Sequence, residues 1–161
     1  MKYKASLDNL AKIMTVGVTV VFTVIITKQF EAIKEEQAIT PFLIAGGFIL
    51  LYVWTLLFRP LNYRVTDTHL IIHRPLKDIV MERNAITNIE RLDDAIVQKS
   101  VRTFGVGGLF EYFGKYANRT NGSMTWYATR RSSAVLICTN DNKKVVLTPD
   151  MPEEFMTTLH N

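Results

Sequence analysis

Cysteine and histidine are scarce: one cysteine, Cys138, and three histidines among the 161 residues. A single cysteine excludes an internal disulfide and any multi-thiolate metal site within one chain. It sits in the apolar run Ala134-Val-Leu-Ile-Cys138, where a small buried hydrophobe is the expected role. His69 and His73 would share a face on a helix. The Leu-Ile-Ile between them reads as strand, which sets them roughly 13 Å apart. No metal and no cofactor are expected. Charge of one sign is also scarce: 19 Lys and Arg against 15 Asp and Glu leave a net of +4. Without a dense basic stripe, nucleic acid is not expected as a partner. No spacing of Ser, His and Asp suggests a triad. The paired acids Asp93-Asp94 and Glu153-Glu154 point to opposite faces or suit a helix start, so catalytic carboxylates are not expected either. No enzyme is expected, and no internal repeat or low-complexity tract occurs.

A second absence organises the chain. Pro41 to Phe58 holds no charged side chain and stops at Arg59-Pro60. As a helix it would be roughly 27 Å long, close to the bilayer hydrocarbon thickness of about 30 Å. Leu10 to Thr27 carries only Lys12 and forms a first apolar run. In lipid its β-branched residues do not argue for strand, because every backbone group must pair inside the segment. Asp8 or Asn9 is placed to cap it. A cleaved signal peptide is the competing reading, but the exit Thr27-Lys-Gln-Phe-Glu-Ala32 lacks a small-x-small pair. The reading is a transmembrane helical hairpin over residues 1–60, with spans at 10–27 and 41–58. Residues 28–40 form its turn, and Lys12, Tyr52, Trp54 and Arg59 are its interface anchors. Lys2, Lys4, Lys12, Arg59 and Arg64 outnumber Lys28 and Lys34, which places both termini in the cytoplasm.

From Leu61 onward short apolar segments alternate with polar turns. Tyr63–Val65, Leu70–His73, Ile79–Met81 and Ile86–Leu92 read as strands, and Asp93-Asp94 breaks the series. Val97 to Arg102 alternates weakly and runs into Phe104-Gly-Val-Gly-Gly-Leu-Phe-Glu-Tyr-Phe-Gly114. Met124–Thr129, Ala134–Thr139 and Lys144–Thr148 are three clear strands joined by hairpin-length turns. Asp150-Met-Pro-Glu153 reads as a helix start with an acid cap and a capping-box glutamate. Met151, Phe155 and Leu159 give that helix an apolar face. The expected domain is a small β sandwich or β barrel stoppered by a helix.

Four pieces of this domain, in order, resemble the bacterial pleckstrin-homology-like (PH-like) domains found behind one or two membrane helices. They are Tyr63-Arg-Val, the glycine-rich Phe104–Gly114 segment, Tyr127-Ala-Thr, and the ending Leu147-Thr-Pro-Asp-Met-Pro-Glu-Glu-Phe155. The resemblance covers Leu61 to Leu159. It implies a PH-like β domain over 61–161: two nearly orthogonal antiparallel sheets capped by the C-terminal helix. It implies no enzymatic activity and no cofactor. Phosphoinositide-binding members of the wider superfamily carry a basic cluster in the first strand loop. Here that loop is Thr66-Asp-Thr68, with only Arg64 and Arg74 nearby.

Two functional readings follow. The first is a non-catalytic module anchored in a bacterial cytoplasmic membrane, binding a protein partner or itself through Gly17, Ala45, Gly46 and Gly47. The second is a sensor of anionic lipid or a small ligand. Gly105-Val-Gly-Gly108 lacks the Lys-Ser/Thr of a phosphate loop, so a bulge or a positive-φ turn at a sheet edge is expected there. Leu109, Phe110, Tyr112 and Phe113 are either core or an exposed contact for a partner or the bilayer surface. Arg130 and Arg131 are either a solvated hairpin end or a contact to anionic lipid or protein.

Overall fold

Asp8 starts the first helix as the sequence anticipates. Its carboxylate accepts the Ala11 amide at 2.6 Å and opens α1 (Asn9–Glu36). The computed structural model describes residues 1–36, 39–107 and 109–160, with only the backbone of Glu35, Glu36 and Val106. Gln37 and Ala38 of the expected turn, Gly108 of the glycine run, and Asn161 lie outside the described residues. The threonines of α1 fit the helix by bonding back one turn: Thr19, Thr23 and Thr27 donate to the carbonyls of Thr15, Thr19 and Thr23 at 2.7 to 2.8 Å. The second helix, α2 (Ile39–Phe58), takes Pro41 in its first turn, where the missing amide costs nothing. Both helices run beyond the expected spans toward each other. They pack antiparallel through Phe22 on Phe48, with ring centroids 4.8 Å apart. Gly17, Gly46 and Gly47 have open space where a Cβ would stand, so their small surfaces face away from this contact.

Among the described residues ten strands form two sheets. The first has the order β1 (Lys2–Lys4), β2 (Asn62–Val65), β3 (His69–His73), β4 (Ile79–Glu82). The second has the order β5 (Ile86–Arg91), β9 (Val135–Thr139), β10 (Lys144–Leu147), β8 (Gly122–Ala128), β7 (Tyr112–Asn118), β6 (Val101–Gly107). Neither sheet closes on itself, so the barrel alternative fails and the sandwich stands. One pairing departs from the antiparallel expectation: β10 runs parallel to β8. The chain leaves β8, skips a position to form β9, and its hairpin partner β10 fills the gap in the same direction as β8.

The second sheet is covered on both faces. On one face Tyr63, Leu70, Ile72, Ile137, Leu147 and Phe155 pack it against the first sheet and the C-terminal helix α4 (Pro152–His160). On the other, Tyr116, Trp126, Leu136 and Val146 lie under Val97 and Ala11. Val97 belongs to a short helix, α3 (Asp94–Gln98), where the sequence suggested a weak strand. Asp93 is its cap, accepting the Ala95 amide at 2.8 Å. The paired acids mark a helix start rather than a break.

Two further expectations change near the termini. The short polar start of the chain is strand β1, antiparallel to β2 with Tyr3 opposite Tyr63. Tyr3 is buried edge-on to Phe155, with centroids 5.2 Å apart. Asp150 holds this segment in place, accepting the Ser6 amide at 3.0 Å and pairing with Arg130 at 3.1 Å. Glu153 reaches Arg91 on β5 at 2.6 Å. Phe155 and Leu159 form the buried face of α4, while Met151 is 54% exposed and lies off it.

Candidate functional site at the helix–domain junction

The glycine-rich segment is a hairpin, β6–β7, on the free edge of the second sheet. Its register shifts between Arg102 and Phe104, just ahead of the glycine run, and the positive φ anticipated for that run is found at Gly105. Gly105 and Gly114 sit opposite each other at φ +113° and +127°. A Cβ on either would stand 2.1 Å from a carbonyl oxygen of the facing strand, so only glycine lets these backbones meet.

This hairpin carries the aromatic residues to the helices. Phe113 stacks on Phe58 at 5.8 Å and leans on Tyr127 at 5.5 Å. Phe110 meets Tyr52 edge-on at 5.1 Å, and its amide donates to Thr15 Oγ1 at 2.9 Å. Phe110 holds φ at 62°, an uncommon region for a bulky residue, so the tip is bent to reach α1 and α2. Arg74, from the β3–β4 loop, closes the other side. Its guanidinium lies 5.3 Å from the Phe58 ring, 5.9 Å from Phe113 and 5.7 Å from Tyr127. In the same loop the Leu76 amide donates to the Leu57 carbonyl at 3.2 Å, satisfying one free acceptor at the end of α2.

Glu111 lies inside this joint. It is fully buried, and neither carboxyl oxygen has a hydrogen-bond partner among the described residues. Burial pushes the carboxyl up to about 8, with Arg74 and Arg59 pulling it the other way. At neutral pH it is therefore mostly protonated, which is how a carboxyl tolerates a dry apolar setting. Such a group takes up or releases a proton as its surroundings wet or dry, and changes the charge of the joint when it does.

The anticipated site residues divide. Phe110 is buried, Phe113 and Tyr52 are half-buried, and with half-buried Arg59 all four belong to this joint. Tyr52 is turned into the helix pair, its hydroxyl 3.0 Å from that of Thr19. Tyr112 is buried on the opposite face of β7, with the Arg131 guanidinium 6.0 Å from its ring. Arg131 donates to the carbonyls of Val97, Gln98 and Ser100, and so holds the end of α3. Arg130 donates to Pro149 and pairs with Asp150. Both guanidinium groups are thus occupied by the chain itself. Lys12 and Trp54 are exposed, Trp54 beside Phe58 at 4.8 Å. Glu111, Arg74 and Thr15 were not singled out in the sequence. A signal existed for the first: Glu111 is the sole charged residue between Arg102 and Lys115.

His73 accepts or donates at 2.7 Å to Asp78, and His69 does so to the Thr68 hydroxyl at the same distance. Among the described residues no group of three or more His, Cys, Asp or Glu is placed to hold a metal ion. Comparison with known proteins matches the chain to the Bacterial PH domain family over residues 61–161, more than half of its length. No curated protein and no solved structure matches. Strand β1 and both apolar helices fall outside the matched range. Two open sheets with a C-terminal helix agree with that match, and the chain belongs to the bacterial PH domain family.

Proposed function

We propose that this chain is a membrane-anchored, non-catalytic PH-like module that binds a protein partner or a second copy of itself at the cytoplasmic face. The observation that carries the anchoring is the exposure of α1 and α2. Each is long and apolar enough to cross a bilayer, and only 6% and 17% of their apolar windows are buried. A core helix of a soluble protein would be mostly covered, and these are not. A cleaved signal is disfavoured for a different reason: cleavage after α1 would remove β1 and take Tyr3 out of the core. Because β1 and β2 pair, the two outer ends of the helical hairpin lie on one side of it. The count of Lys and Arg near those ends makes that side cytoplasmic.

The interaction role rests on family membership and on the open surfaces at Gly17, Gly46 and Gly47 along the helices. Headgroup sensing has less behind it, since Arg130 and Arg131 are spent on internal carbonyls. Two measurements test the reading. The full chain in isolated membranes should resist carbonate extraction, with a tag on either terminus accessible only from the cytoplasmic side. Native mass in mild detergent should then show a dimer, a larger assembly or a co-purifying protein. Carbonate release would end the anchoring idea, and a strict monomer without companion would end the assembly idea.

A further inference from the structure

We propose that the uncharged tip of the β6–β7 hairpin, residues 104–107 with 109 and 110, enters the bilayer beside α1 and α2, with acyl chains and the headgroup boundary as its partner. This rests on the membrane anchoring proposed above and adds a third lipid-contacting element, drawn from the β domain itself. Ring contacts set its depth. Phe113 meets α2 at its last residue, Phe58, whereas Phe110 meets it at Tyr52. Tyr52 lies six positions before Phe58, so the tip climbs about 9 Å along α2 from its end. The contact with α1 agrees, since Phe110 bonds to Thr15, six residues inside that helix. A 20-residue α2 is about 30 Å long and just fills the hydrocarbon layer. Anything level with Tyr52 then stands within the layer rather than above it.

The chemistry of the tip fits that depth. Residues 103–110 contain no ionisable side chain, and Phe104 is 77% exposed on the free edge strand. Backbone entering lipid must have its polar groups paired: the Phe110 amide is paired by a helix hydroxyl, while the outer edge of β6, which has no strand partner, lies at the hydrated headgroup boundary. Glu111, which follows, is fully buried rather than exposed as a charge. Charge resumes on either side of the tip, at Arg102 and Lys115, and Arg102 lies with Leu10 and Met14 around one shallow depression. Leu76, 56% exposed and bonded to the end of α2, adds an apolar neighbour at the boundary.

Nitroxide labels on the full chain, with Cys138→Ser, in vesicles of phosphatidylcholine and phosphatidylglycerol test this. Leu109→Cys and Phe104→Cys probe the tip, Ile49→Cys the helix, and Lys143→Cys a β turn remote from it. The expected result is an oxygen-to-nickel-chelate accessibility ratio at 109 and 104 several-fold above that at 143 and approaching that at 49. Water-like ratios at 109 and 104 with a lipid-like ratio at 49 overturn the wedge and leave the anchoring intact. Low access to both reagents with spin–spin broadening overturns it in favour of a second copy covering the tip. A water-like ratio at 49 overturns the anchoring itself.

Discussion

Glu111 concentrates the electrostatics of the molecule in one side chain. Its carboxyl is raised by burial from 4.5 to about 8, more than two nearby arginines offset. The folded state therefore binds a proton that the unfolded state has already released between those values. The stability this group contributes is complete below about pH 4.5 and is lost as pH rises through about 8. At 1.36 kcal/mol per unit the full effect is on the order of a few kcal/mol. Glu111→Gln should thus leave thermal stability near pH 4.5 little changed and raise it at pH 8, flattening the profile. Parallel profiles for the two proteins would show that the carboxyl is not desolvated. The glycine pair gives a second prediction at this scale. Gly105→Ala places a methyl 2.1 Å from the Phe113 carbonyl oxygen at a φ of +113°. The cost should be about 2 kcal/mol or more in denaturant unfolding, and a change within 0.5 kcal/mol would reject the close approach. The glycines were legible as a bulge or positive-φ turn because glycine alone is free in that region. The burial of Glu111 was not, since a lone acid in an aromatic run is equally compatible with a solvated loop.

Among the elements, β1 changes most what the domain is. Three residues, Lys-Tyr-Lys, add a strand to the first sheet from the far side of a helical hairpin. Its pairing partner lies some sixty residues away, and period-2 alternation over three residues is too short a pattern to register. The longer elements were legible for the opposite reason. Apolar runs of 18 residues and alternating strands of five or more carry their own period, whereas α3 and β1 are set by tertiary pairing and a cap. The consequence is that residues 61–161 alone are missing a strand and the Tyr3 ring that packs on Phe155. Tyr3→Ala in the full chain should cost roughly 3 kcal/mol or more, as for other buried aromatics. The 61–161 fragment should melt at a lower temperature than the same fragment given residues 1–8 as a separate peptide. An unchanged melting curve on adding the peptide would mean that β1 is incidental to the fold.

Across the whole molecule, the helical hairpin and the β domain are tied at both ends and wedged between. The chain enters α1 from β1, with Asp8 accepting both the Ala11 and Arg131 amides. It leaves α2 for β2 within four residues, and Arg74 and the β6–β7 aromatics fill the angle. A tether at one point would let the domain swing about Pro60, but two tethers and a packed joint do not. Spin labels at Ile49 and Lys143, measured pairwise in the full chain, should therefore give a distance distribution as narrow as one between two sites inside the β domain. Arg74→Ala together with Phe113→Ala removes the wedge while leaving both tethers, and should broaden it moderately. Removing residues 2–8 as well takes away β1 together with the Ser6 and Asp8 contacts, leaves one tether and should broaden it most. A wide distribution in the unaltered protein would mean that the joint opens freely, and the buried carboxyl at its centre would then have to be read as a group that meets water often.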